Sequence, residues 1–163
     1  MDVIAETTMV ADSNWGGQKM AEYTTNALQS VEAGQNVLFT DAPIPGCRQG
    51  ILHREGSGII TLKGQVNNCS GFARYKISFG ANVAIPEGGT ASTPLSFALA
   101  IDGEPVPTSS MIVTPAAAEQ FWNIYASIFI NLPQGCCYTV AVENTGTITT
   151  DVQNANLIIE RTA

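Results

Sequence analysis

The stretch FARYKISFGANVAI, residues 72–85, alternates its side chains with a period of two. Ala73, Tyr75, Ile77, Phe79, Ala81, Val83 and Ile85 fall on one face, and Arg74, Lys76, Ser78 and Asn82 on the other. An α-helix would wind these apolar residues around its whole circumference. A strand gathers them on a single face, so the pattern predicts a long, half-buried β-strand. Such a strand needs neighbours to satisfy its backbone and a second layer to cover its apolar face.

The rest of the chain supplies them. QGILHREGSGIITLKGQV is two short apolar runs hinged on EGSG, a hairpin signal. In PLSFALAIDGEPVPTSSMIV, Leu95, Phe97, Leu99 and Ile101 share a face, and Asp102-Gly103 is a two-residue turn of the primed type. PEGGTASTP, residues 86–94, reads as loop. QFWNIYASIFINLPQG sets Trp122, Ile124, Ala126, Ile128, Ile130 and Leu132 against Phe121, Asn123, Tyr125, Ser127, Phe129 and Asn131. CCYTVAVENTG and VQNANLIIERTA read as the last two strands. About eight short strands separated by turn residues predict an all-β antiparallel sandwich, a jelly roll, over residues 29–163. Residues 1–28 show no steady period and are read as an N-terminal arm or linker, in which GGQKMAEYTTNALQ allows a short helix.

Composition narrows the function classes. The chain has 163 residues, enough for one domain with a real core. Its formal net charge is −7 and only 13% of residues are charged, with no Lys/Arg cluster to neutralise phosphates, so no nucleic-acid partner is expected. Low charge with 45% apolar residues points to surface covered by other copies of the chain. No window approaches eighteen apolar residues, so no transmembrane helix and no membrane partner are expected. The opening MDVIAETTMVADSNWGG lacks a basic n-region and an apolar h-region, which predicts synthesis in a cytoplasm without a signal peptide.

Taken in order, AGQNVLFT, GSGIITLKG, ARYKISFGANV, SFALAIDGEPVPTS, FINLPQGCCYTVAVENTG and NANLIIERTA resemble the trimeric jelly roll of the tumour-necrosis-factor and complement-q type. The resemblance extends to its bacterial and phage branch, such as the C-terminal domains of spore-surface collagen-like proteins and small phage structural proteins. It covers roughly residues 29–163. It implies a homotrimer with the C-terminal strand near the threefold axis, and it implies no catalytic residue. No Gly-X-Y stalk precedes the matching region, which favours a virion component over a spore-coat or secreted adhesin.

Candidate chemistry is sparse. On a strand, the vicinal Cys136 and Cys137 point to opposite faces, so they cannot both ligate one metal without a bulge. They read as two small hydrophobes, Cys136 on the core side with Tyr138, Val140 and Val142; a bridge to a distant cysteine and a metal or redox role are the alternatives. Cys47 and Cys69 flank the ILHREGSGIITLKG hairpin and are the better disulfide candidates. No CxxC spacing, G-x-S-x-G elbow or D-x-D-x-D-G loop is present. His53, the single histidine, reads as part of a polar hairpin tip. No catalytic residue, cofactor or metal is expected.

The strand over 121–132 is apolar on both faces, which asks for cover on both. The resemblance places Tyr125, Phe129 and Ile158 at a trimer interface, with burial under the chain's own arm as the alternative. The resulting expectation is a non-enzymatic display protein on a phage particle, a head decoration or fibre-head module. Residues 1–28 would attach it to capsid or tail proteins. The alternative is a receptor- or glycan-binding head that uses loops 86–94 and 103–110.

Overall fold

The computed structural model describes residues 19–47, 50–64, 69 and 71–163. In chain order the strands are β1 (Met20–Thr25), β2 (Gln29–Val31), β3 (Asp41–Ile44), β4 (Ile51–His53), β5 (Ile60–Lys63) and β6 (Phe72–Ala84). They continue with β7 (Leu95–Ile101), β8 (Glu104–Pro105), β9 (Met111–Val113), β10 (Trp122–Pro133), β11 (Cys137–Asn144) and β12 (Thr150–Arg161). The helical element among the described residues is a single 3-10 turn at Pro107–Ser109.

Two antiparallel sheets pack face to face as a jelly roll. The first runs β10-β6-β12-β1-β3, with β2 on β12; the second runs β4-β5-β11-β7-β8, with β9 on β7. The long alternating strand is β6, held between β10 and β12. Its inward residues Ala73, Tyr75, Ile77, Phe79, Ala81 and Val83 are buried, as the period of two requires. Against them the second sheet sets Leu62, Phe97, Leu99, Val140 and Val142. Phe39 and Phe79 meet edge to face with centroids 6.4 Å apart. The Asp102-Gly103 turn has positive φ at both residues, 52° and 85°, and returns β7 to β8 with Ile101 opposite Glu104.

Polar groups inside the sandwich are satisfied. The Tyr75 hydroxyl donates to the Lys63 carbonyl at 2.9 Å. The buried Asn144 amide donates to the Val31 and Ile148 carbonyls at 2.9 and 3.0 Å, while its oxygen accepts from the Gly146 N–H at 2.9 Å. It thereby ties β2, the end of β11 and the turn into β12 together.

Several expectations are corrected. The domain begins before residue 29, because β1 sits between β12 and β3 with a continuous register from Met20 opposite Glu160 to Thr25 opposite Ala155. Ala21, Tyr23 and Thr25 point inward, so MAEYTT is a strand of period two whose small and polar inward residues hide the pattern. The short helix is therefore absent over Met20–Thr25. The remainder of the arm, residues 1–18, lies outside the described residues. Trp122 shares the face of the inward Ile124 and Leu132, yet at the first position of β10 it is 48% exposed. Tyr138, Val140 and Val142 do share the core side, but Cys136 precedes the strand in a turn and is exposed, as is Cys137. No disulfide joins Cys47 and Cys69, although the hairpin ends between them do meet, with Ile51 opposite Leu62 and the Lys63 N–H on the Gly50 carbonyl at 2.8 Å.

Two outcomes follow from this packing. Asn144→Ala leaves the Val31 and Ile148 carbonyls and the Gly146 N–H without their partner, and should cost about 1–3 kcal/mol. The urea midpoint should fall with no change in slope. Burial raises the phenol pKa of Tyr23 and of Tyr75 above the ordinary 10.0. Their contribution to stability is complete below pH 10.0 and is lost as pH rises through the raised folded values. The urea midpoint should therefore decline at alkaline pH, and Tyr75→Phe should flatten that decline; an unchanged decline in this variant would assign the pH dependence elsewhere.

Candidate assembly surface

One face of the first sheet packs on the core and the other points outward. The register sets what stands on the outward face. Across the strands, Ser127 opposes Ser78, Ser78 opposes Ile158, and Ile158 opposes Glu22. One step along, Phe129 opposes Lys76, Lys76 opposes Glu160, and Glu160 opposes Met20. One step the other way, Tyr125 opposes Gly80 and Gly80 opposes Asn156. Tyr125, Phe129 and Ile158 therefore share this face: two stand on β10, and the third stands two strands away at about 10 Å.

Both aromatics are open to solvent, Tyr125 at 62% and Phe129 at 63%, while Ile158 is half-buried between its neighbours. Across Gly80 the Tyr125 ring meets no side chain of the facing residue; even a Cβ there would stand 3.7 Å from the ring's Cδ1. Hydrogen bonds from Ser78 and Ser127, with a smaller contribution from the Lys76 charge, hold the Tyr125 phenol below its ordinary range. The two serine hydroxyls are themselves 3.0 Å apart.

The amide and hydroxyl groups around the aromatics are paired within the sheet. Asn123 Nδ2 donates to Asn82 Oδ1 at 3.2 Å, and Asn82 Nδ2 donates to Asn154 Oδ1 at 3.1 Å, a chain of amides across three strands. Asn154 sits at the bulge of β12 with φ of 56°. Arg74 Nε donates to Asn131 Oδ1 at 3.0 Å, and Asn156 Nδ2 donates to Glu22 Oε2 at 2.5 Å. This face is a flat polar lattice with two large rings standing on it.

The strand that carries the rings is also a sheet edge. β10 pairs with β6 from Trp122–Val83 to Pro133–Phe72 and has no strand on its other side among the described residues. Phe121 and Trp122 at its start, and Ile112 at 65% exposure in the neighbouring β9, extend the apolar surface past that edge. Long edge strands in folded proteins are covered, twisted away or charged; this one carries no charge from Trp122 to Pro133.

Among the described residues no group of three His, Cys, Asp or Glu side chains is placed to hold a metal. His53 departs from its expected place at a polar tip. It ends β4, half-buried, with its ring 4.5 Å from that of Tyr23 and Nε2 2.9 Å from the Ser57 carbonyl. Its partner was hidden in the sequence because Tyr23 lies in the stretch assigned to the arm. The amide chain was equally hidden: alternation puts Asn82 and Asn123 outward, but only the register sets them side by side.

No family model and no curated protein matches the chain. Solved structures do. The globular domain of zebrafish complement 1qA protein covers 89% of this chain, with 98% of its own length covered, at a TM-score of 0.60 and 14% identity. An Eiger TNF structure from S. frugiperda covers 89% of this chain and 92% of its own at a TM-score of 0.63 and 11% identity. Murine APRIL matches at 0.59 and 10% identity, over 87% of this chain and 98% of its own. At such identities the likeness is one of fold: the chain is an all-β jelly roll of the TNF and C1q kind.

Proposed function

We propose that this chain works by assembly rather than by catalysis: a jelly-roll domain that associates with copies of itself into a homotrimer and presents its loops outward as a structural or display module. The observation that carries the reading is the coincidence of two features on β10. Its outward face bears Tyr125 and Phe129, both more than 60% exposed, and its outer edge, twelve residues long, pairs with no strand among the described residues, with β9 and the 3-10 turn lying near it. A second copy laid against this strand covers both features at once.

The magnitudes favour burial. Removing Tyr125, Phe129 and the open part of Ile158 from water is worth roughly 1.5–3 kcal/mol for each large side chain fully buried. The amides and hydroxyls of this face already pair within the sheet, so covering them costs little, while Lys76 and Glu160 beside Phe129 have to stay at the solvated rim or find partners. The jelly roll of the TNF and C1q kind supports threefold association over twofold. A place on a virion surface, as head decoration or fibre head, is the finer part of this proposal and rests only on the resemblance of the sequence motifs, with the segment before β1 as the attachment to capsid or tail proteins.

Sedimentation velocity tests the reading. The unmodified protein should sediment as a single species near three times the 17.2 kDa chain mass. Phe129→Asp sets a carboxylate where the ring would be buried and should drop the species to one chain mass, with its β circular dichroism retained. An unmodified protein at one chain mass, or a Phe129→Asp variant that stays assembled, would overturn it.

A further inference from the structure

Several strands end together on the side of the sandwich where β1 begins. The register sets Met20 opposite Glu160, Arg161 opposite Tyr75, Phe72 opposite Pro133 and Lys63 opposite Cys137. The Tyr75 hydroxyl, bonded to the Lys63 carbonyl, joins the two sheets there. Lys19, Lys63, Arg74, Lys76 and Arg161 gather at this end, while Arg54, the other described base, stands at the far one. The sequence hides the cluster because its members are spread from residue 19 to residue 161. Glu32, Glu55, Glu87, Glu119, Glu143 and Asp151 lie at the far end. The sandwich is therefore polarised in charge from end to end.

Part of the positive charge is matched locally. Lys76 opposes Glu160 across β6 and β12, and Arg161 Nε donates to the Ala163 oxygen at 2.9 Å. Arg74 is held by neutral groups: Nε donates to Asn131 Oδ1 at 3.0 Å, and the guanidinium carbon stands 5.3 Å from the Phe72 ring centroid. Lys19 is exposed and Lys63 half-buried, and neither forms an ion pair among the described residues. This end carries cationic charge in excess.

The chain itself supplies the complement. Residues 1–18 contain Asp2, Glu6 and Asp12 and no lysine or arginine. They join the fold at this same end, where the Arg161 N–H donates to the Lys19 carbonyl at 2.6 Å as β1 begins. Extended, a segment of that length reaches about 60 Å. The end is only about 15 Å across from β1 to β10 and about 10 Å deep between the sheets. We infer that residues 1–18 dock on the basic end of the sandwich, with their carboxylates on Lys63, Arg74 and Lys76. A single exposed ion pair is weak, but the covalent link keeps the segment at high effective concentration. Attachment through this segment would leave the acidic end outermost. The inference does not rest on assembly through β10 or on a virion role.

Zero-length carbodiimide coupling of the intact protein, read by peptide mass spectrometry, tests this. Amide bonds from Asp2, Glu6 or Asp12 to Lys63 and Lys76 are expected, with coupling to Lys19, close by in sequence, as the internal control. In about 1 M sodium chloride, where charges are screened beyond about 3 Å, the yield at Lys63 and Lys76 should fall severalfold. Protein refolded from a mixture of isotope-labelled and unlabelled chains identifies the source: pairs of one isotope assign the segment to its own chain, and mixed pairs to a neighbouring copy. Asp2→Asn, Glu6→Gln and Asp12→Asn together remove the charge ahead of β1 and should raise the acetylation rate of Lys63 and Lys76 by about two- to fivefold. Coupling confined to Lys19, yields that salt leaves unchanged, or unaltered acetylation in the neutral variant would overturn the inference.

Discussion

The pairing of β6 with β10 sets the character of this molecule's surface. Ile77 opposes Ile128 on the core side, and Lys76 opposes Phe129 on the outward side, along an unbroken register from Trp122 to Pro133. A slip of one residue would turn Ile124 and Leu132 to solvent and drive Tyr125 and Phe129 into a core already filled by Phe79 and Tyr75. The apolar set on the inward face of both strands forbids that slip. The same alternation that builds the core therefore forces two aromatic rings outward.

A chain left in this state carries a cost in water that its fold does not remove. The second sheet buries the inner face of β6 and leaves Ala126, Ile128 and Ile130 of β10 half-buried, and the amides of Asn82, Asn123 and Asn154 pair with one another on the outer face. Among the apolar surface that remains, Tyr125, Phe129 and the unpaired edge of β10 lie on one strand, with Phe121, Trp122 and Ile112 nearby. In the proposed assembly, copies of the same chain would supply both what the rings need, apolar cover, and what the edge needs, a neighbour. Interfaces of this kind behave as a domain core divided among subunits.

The sandwich was legible because its longest strands alternate cleanly. β6 and β10 could be drawn residue by residue, and the Asp102-Gly103 turn was fixed by the positive φ it demands. β1 was not legible. Its inward residues are Ala21, Tyr23 and Thr25, two small and one amphipathic, so a six-residue strand looked like an arm. That one omission concealed the neighbour of His53. The face on which Tyr125, Phe129 and Ile158 stand could be assigned from alternation and likeness, but the serine and asparagine pairs could not, because register between distant strands is a property of the folded pair. Cys136 shows the limit of face assignment at a strand end, where parity is right and burial has already run out.

The central claim is that the outward face of β10 is covered in the native protein. Hydroxyl-radical footprinting of the unmodified protein at working concentration tests it residue by residue. In a lone chain Tyr125 and Phe129 are 62% and 63% exposed and would oxidise readily. The account predicts that both are protected in the native protein and that Tyr125 becomes reactive when Phe129→Asp separates the copies. Rapid oxidation of both rings in the unmodified protein would contradict it.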